Sequence, residues 1–189
     1  MLGVVAIAGA FAWAIWRGAL PRRWLAYLLA GGLVGLSWEL AFTFGGMGYP
    51  ILPGGAANPQ GMDIDQLPLP AIAVMVVLVC VWDGALFVCG LLLARALLGA
   101  RVERRFSWPA LLVMLTWGQL TSFVIEIYAI ENGLWAYGAT WWNPKLFDWG
   151  AAQVTLVPQA VWLASVPLFY AAVLRISPPV SAPEPPAAS

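Results

Sequence analysis

Histidine is absent from all 189 residues. Its absence removes histidine-ligated metal centres, haem held through histidine, and the Ser/His/Asp and Cys/His pairings of nucleophilic catalysis. Charge is almost as scarce, at 10% of the chain against roughly 25% in ordinary soluble domains. Nine basic and nine acidic residues cancel, so neither a nucleic-acid partner nor long-range steering has a net charge to rest on. The two cysteines, Cys80 and Cys89, fall inside one apolar run, where a thiol is usually a small buried hydrophobe and not half of a disulfide. Also missing are an Asp-Asp-x-x-Asp cluster for a magnesium diphosphate, a Walker loop, a Gly-x-Gly-x-x-Gly turn and a Cys-x-x-Cys pair. Prenyl-diphosphate chemistry, nucleotide-driven transport and redox cofactors thus lose their usual signals, and no cofactor or metal is expected. Acid-base chemistry falls to carboxylates, with Lys145 and tyrosines as lesser candidates.

What the chain has in quantity is apolar surface. Hydrophobic residues make up 62% of it and the mean hydropathy is +0.83. Five apolar segments stand out, at about 1–16, 24–44, 69–94, 108–130 and 153–174. Each approaches the roughly 20 residues needed to cross hydrocarbon. The first is short enough to read as a signal-peptide core, but it lacks a basic start and Arg17, Arg22 and Arg23 follow it like a stop. Arginines then fix an orientation, because basic loops stay cytoplasmic. Arg17, Arg22 and Arg23 lie after segment one, Arg95, Arg101, Arg104 and Arg105 after segment three, and Arg175 after segment five, whereas Lys145 alone falls in an even loop. The fold expected is therefore an all-α, five-span transmembrane bundle over residues 1–176 with its N-terminus outside and its C-terminus cytoplasmic. The tail from Ser177, with its Pro-Pro runs, has no apolar face and is expected to be disordered. Four of the twelve tryptophans, Trp135, Trp141, Trp142 and Trp149, crowd the loop before segment five, as an interfacial aromatic belt or as a lid on a ligand. The Arg-over-Lys bias hints at a GC-rich bacterium, and the expected location is a bacterial plasma membrane.

A carboxylate deep in a span costs roughly 2.5 kcal/mol or more, so such a group faces a partner or a cavity. Four acids qualify. Glu39 lies toward the outer end of segment two, Asp83 near the middle of segment three, Glu126 in the outer half of segment four and Glu131 at its outer end. With alternating span directions, all four belong to the middle and outer half of the bilayer and can converge on one pocket. Thr116, Gln119, Ser122 or Phe123, and Glu126 share one helical face of segment four; Thr155, Gln159, Trp162 and Ser165 or Val166 share one of segment five. On segment two, Gly32, Gly35 and Glu39 make a face that is small apart from its acid, open to a neighbouring helix or to a flat apolar ligand. Gln119, Ser122 and Thr155 also fit plain interhelical hydrogen bonding. Glue does not require a titratable group as deep as Glu39 or Asp83. A carboxyl taken out of water favours its protonated form, which suits a general acid.

These residues carry a resemblance. The stretch from about Arg22 to Leu174 resembles the emopamil-binding protein group of the EXPERA superfamily, the five-span sterol isomerases and their relatives. Arg22-Arg23 precedes a helix ending in the acid Glu39, Trp82 and the small residues after it resemble a Leu-Trp-Gly-Pro segment, and Gly118-Gln119 resembles a Gly-Gln pair. Glu131 falls where the family has an acid at a helix end. Gln159-Ala160-Val161-Trp162, with Pro167 beyond, is similar to an Asn-Ala-Leu-Trp segment and its downstream proline. The resemblance implies a cavity in which an acid protonates a sterol double bond, a tryptophan faces the carbocation and a second group removes a proton. Glu39, Gln159 and Trp162 would then be the acid or base, the orienting amide and the cation-facing ring. Gly35 stands where the family has a histidine and Met75 near its second glutamate, so Asp83 would take over the second role. Ser37-Trp38-Glu39, with Pro50 beyond, and Trp82-Asp83-Gly84 are similar to segments of membrane terpene cyclases, which protonate an epoxide or alkene.

Both resemblances imply one chemistry. The expected function is a cofactor-independent membrane isomerase or cyclase acting on a sterol-like or isoprenoid substrate by proton transfer. Glu39 and Asp83 form the main acid-base pair, Glu126 and Glu131 are secondary, and Trp38, Gln119, Gln159 and Trp162 bind substrate. Expected partners are an apolar lipid-like substrate and membrane lipids, with a homodimer left open and no nucleic acid. The competing class is a non-catalytic sterol- or lipid-binding protein, or an assembly factor, on the same scaffold. A transporter fits less well, because the chain is short and shows no inverted repeat.

Overall fold

A computed structural model of the chain describes residues 9, 10, 13, 14, 16–18, 21–44 (backbone alone at 41–44), 68–132, 137–150 and 152–177. The expected first span, the loop at 45–67 and the Pro-rich tail beyond Ser177 fall largely or wholly outside these residues. Four helices account for most of what is described: α1 (Arg23–Phe44), α2 (Leu69–Leu98), α3 (Trp108–Glu131) and α4 (Leu156–Ile176). A 3-10 turn at Ala100–Glu103 joins α2 to α3, and strands β1 (Lys145–Trp149) and β2 (Ala152–Thr155) lie between α3 and α4. Helices α2, α3 and α4 are each long and apolar enough to cross a membrane. The membrane character and the helical class read from composition stand on these three.

Local chemistry places the helix ends. Pro68 and Pro70 open α2, where a missing N–H costs nothing, and Gly99 closes it at φ 86° by donating its N–H to the Arg95 carbonyl at 2.8 Å. Ser107 caps α3 by accepting from the Ala110 N–H at 3.4 Å, and the Asn132 amide ends the helix by donating to the Tyr128 carbonyl at 2.8 Å. The helix expected over 153–174 instead begins at Leu156 and runs to Ile176. Residues Ala152–Thr155 pair antiparallel with Lys145–Trp149, with Gly150 in the turn at φ 58°. β-Branched Val154 and Thr155 suit a strand, and apolar periodicity over so short a run does not separate strand from helix.

The tightest contact is between α1 and α2. A Cβ on Gly84 would meet the Leu28 carbonyl oxygen at 2.4 Å and the Gly32 nitrogen at 2.9 Å, and one on Gly31 would meet the Gly84 Cα at 2.9 Å. Gly32 similarly faces the Cys80 carbonyl oxygen. The small face of α1 is therefore filled by a neighbouring helix, which settles the alternative left open by its composition. Across the other side of α2, Gly90 leaves room for the Trp117 ring of α3, whose Nε1 donates to the Leu86 carbonyl at 2.9 Å. Trp38, Phe87, Trp162 and Phe169 then close the centre where α1, α2 and α4 meet, with neighbouring ring centroids 4.9–6.0 Å apart.

One end of the bundle is fastened by charge. Glu103, 1% exposed, pairs with Arg23 Nε at 3.1 Å and with Arg95. Tyr27 donates to the same carboxylate at 3.4 Å and shares a 2.6 Å hydrogen bond with Ser177. The node thus ties the start of α1, the end of α2, the turn after it and the end of α4. Tyr170 adds a second tie by donating to the Val102 carbonyl at 2.9 Å while accepting from the Ser107 N–H.

Two substitutions test this packing. Gly84→Ala, which meets backbone that cannot give way, is expected to lower stability in detergent by about 1–3 kcal/mol, against no change for Gly138→Ala, which meets nothing within 4 Å. Glu103→Gln is expected to cost about 1–3 kcal/mol, below the full loss of a buried pair because both arginines are partly exposed. Thermal unfolding in a mild detergent measures both.

Candidate functional site

Asp83 and Glu39 are 5% and 7% exposed and belong to the seam between α2 and α1. A Cβ at Gly35 would lie 2.6 Å from Asp83 Oδ2 and 2.9 Å from its Cβ, so the Asp83 side chain occupies the notch that glycine leaves. Glu39 is one helical turn beyond Gly35 on the same face. Cys80 stands one turn before Asp83 on α2, with its carbonyl oxygen against Gly32 of α1. Asp83 Oδ2 is buried without a hydrogen-bond partner among the described residues. Burial of a polar atom in that state costs free energy that packing alone does not return.

A second polar cluster joins α3 to α4. Glu126 Oε1 accepts the Thr155 backbone N–H at 3.2 Å, and its Oε2 accepts Gln159 Nε2 at 2.6 Å. Gln119 Nε2 donates to the Gln159 backbone carbonyl at 3.1 Å. The polar faces read on the two helices do meet, although Thr116 is exposed and stands off the seam. Thr155 belongs to the face as the last residue of β2 and not as part of a helix.

Aromatic rings connect the clusters. Trp162, one turn after Gln159, lies 4.9 Å from Phe87 and 5.9 Å from Trp38 between ring centroids. Trp38 is adjacent to Glu39, and Phe87 is one turn after Asp83. Gly118 lets this group pack, since a Cβ there would meet Val166 Cγ2 at 3.0 Å and Trp162 Cε3 at 3.6 Å. The structure therefore gathers Glu39, Asp83, Trp38, Trp162, Gln159, Gln119 and Glu126 into two adjoining groups. Glu131 is apart from them: it is exposed and accepts from Trp149 Nε1 at 3.2 Å, fastening the hairpin to the end of α3.

Two structural residues escaped the sequence reading. Glu103 is a single acid within Arg101-Val102-Glu103-Arg104-Arg105, and an acid alone among arginines was its available signal. Asn143 is buried, accepts the Val157 N–H at 2.8 Å and donates to the Gly138 carbonyl at 3.1 Å, so it sets the entry to α4. Its signal was the turn-forming Asn-Pro pair with Pro144. Among the described residues no three of Cys, Asp and Glu gather as metal ligands. Of the crowded tryptophans, Trp141 is 92% exposed, Trp142 and Trp149 are also exposed, and Trp135 lies outside the described residues.

Compared with protein-family models, with curated proteins and with solved structures, the chain has no match. The two glutamates of α3 separate experimentally: Glu126→Ala leaves the Thr155 N–H and the Gln159 amide buried and unpaired, and is expected to cost about 2–4 kcal/mol. Glu131→Ala, at the surface, is expected to stay within about 0.5 kcal/mol of the unaltered protein in the same denaturation assay.

Proposed function

We propose that this chain is a cofactor-independent integral-membrane isomerase or cyclase that acts on a sterol-like or isoprenoid substrate by proton transfer through a carbocation. The observation that carries this reading is the Asp83 carboxyl, held in the Gly35 notch with a buried oxygen that has no partner among the described residues. It shares its seam with Glu39 and lies one turn from a cluster of aromatic rings. In the reading, Asp83 gives its proton to an alkene or epoxide, so that a new C–H or O–H bond forms as the π or C–O bond breaks. The cation that results is faced by Trp38 and Trp162, whose rings attract positive charge. Glu39 takes a proton from a neighbouring carbon, a double bond forms there, and proton exchange between the two carboxyls resets the pair. One proton enters and one leaves, with no electron transfer.

The scaffold proposed with it is EXPERA-like, with five spans, of which α1 to α4 are the second to the fifth, an outside N-terminus and a cytoplasmic C-terminus. The location proposed is a bacterial plasma membrane. Gly35 supports the assignment of Asp83, because a histidine at that position would occupy the space that the Asp83 carboxyl takes. The resemblance to membrane terpene cyclases leads to the same two acids and differs only in whether the cation rearranges or closes a ring.

Membranes containing the protein, supplied with sterols and with alkene- and epoxide-bearing isoprenoids in deuterated water, test the proposal. An isomerised or cyclised product carrying deuterium is expected, falling by about a hundredfold or more with Asp83→Asn or Glu39→Gln and unchanged with Glu131→Gln. Saturable binding of these compounds with no turnover of any would overturn the enzyme and leave a lipid-binding protein.

A further inference from the structure

Thr155 and Gln159 are 0% and 4% exposed, and both carry polar atoms that no described residue satisfies. The Gln159 amide nitrogen is committed to Glu126 Oε2 at 2.6 Å, which leaves Gln159 Oε1 as a buried acceptor without a donor. The Thr155 hydroxyl is also unpaired, although the backbone N–H of the same residue is fixed on Glu126 Oε1 at 3.2 Å. Thr155 is the extended residue just before α4 and Gln159 lies in the first turn, and the two are drawn together because each is held by one oxygen of the same Glu126 carboxylate. By contrast, Thr121 answers its own hydroxyl on the Trp117 and Gly118 carbonyls, and Ser177 does so on Val173. Among the described residues the other buried side-chain atoms without a partner, Trp24 Nε1 and Asp83 Oδ2, belong to α1 and α2.

We infer that Thr155 and Gln159, held in place by Glu126, form a recognition site for a single hydroxyl group, and that the substrate is an isoprenoid alcohol or a hydroxysterol. The inference rests on the proposed action on isoprenoid or sterol substrates and gives that substrate a polar end. A hydroxyl is the group that fits, because it donates to Gln159 Oε1 and at the same time accepts from the Thr155 hydroxyl. A carboxylate or phosphate does not fit, because Gln159 Oε1 and both Glu126 oxygens offer only lone pairs. Trp162 is one turn along α4 from Gln159, so a hydroxyl bound here lies beside the ring cluster that Trp162 forms with Trp38 and Phe87. Glu126 and Gln119 are positioning residues in this account: Glu126 orients the amide and the strand end, and Gln119 holds the Gln159 backbone. A water molecule offers the same hydroxyl chemistry, and the two sources separate by experiment.

The test measures binding to the full chain in lipid nanodiscs, using tritiated geranylgeraniol and its methyl ether, and cholesterol and its methyl ether. The ethers keep the acceptor oxygen and lose the donor. In at least one pair the alcohol is expected to bind about tenfold tighter or better. Thr155→Val, which removes an unpaired hydroxyl at constant volume, is expected to leave the melting temperature unchanged or raised while reducing that ratio severalfold, and Thr155→Ser to restore it. Equal binding of alcohol and ether in both pairs, as a resident water would give, overturns the inference, as does an undiminished ratio in Thr155→Val or no binding of any of the four. Alcohol preference without turnover keeps the hydroxyl site and removes the catalytic reading. Turnover with no preference for the alcohol does the reverse.

Discussion

Where α1 crosses α2, backbone meets backbone: Gly84 lies against Leu28 and Gly32, and Gly31 against Gly84. Lipid tails are as apolar as leucine, so a helix able to cross a membrane, as α2 is, gains little by hiding apolar side chains from them, and close packing has to hold it to α1. Glycine supplies that closeness. It also sets the separation at which the Asp83 carboxyl enters the Gly35 notch and Trp38 reaches Phe87. A methyl group at Gly84 would part the helices at the level of the notch and loosen both contacts. The Glu103 node closes one end of the same pair by holding Arg23 of α1 and Arg95 of α2 on one carboxylate.

The buried acids divide by how completely they are answered. Glu126 receives two donors and behaves as a fixed anchor for Thr155 and Gln159. Glu103 receives two arginines and a tyrosine and belongs to the architecture. Asp83 has a buried oxygen that receives nothing from the described residues. That imbalance separates Asp83 from the carboxyls used as fasteners, and burial alone does not draw the distinction. The aromatic cluster adjoins both groups, with Phe87 one turn after Asp83 and Trp162 one turn after Gln159.

Much of this was legible in residue order. Runs of apolar residues at 69–94 and 108–130 marked most of α2 and of α3, and helical spacing brought Gln119, Glu126 and Gln159 onto polar stripes. The rarity of charge in apolar segments singled out Glu39 and Asp83. Other features needed three dimensions. Ala152–Thr155 reads as the first turn of a helix until its partner strand is seen, since pairing energy comes from Lys145–Trp149 and not from the segment itself. A face of glycines accepts a helix or a ligand equally well, and only the position of Gly84 decides between them. Glu103 is one acid among basic neighbours, and its burial depends on Arg23, eighty positions away in the chain.

The central claim is that a buried carboxyl sits in the Gly35 notch, inside a membrane and away from water. Solid-state NMR on the protein in lipid bilayers, with labelled glycine and aspartate, tests it most directly. The account expects a close-contact cross-peak between Gly35 Cα and Asp83 Cγ that survives a water-borne paramagnetic relaxation agent and disappears in Asp83→Asn. Absence of that contact in the folded protein, or its rapid bleaching by the agent, would contradict it.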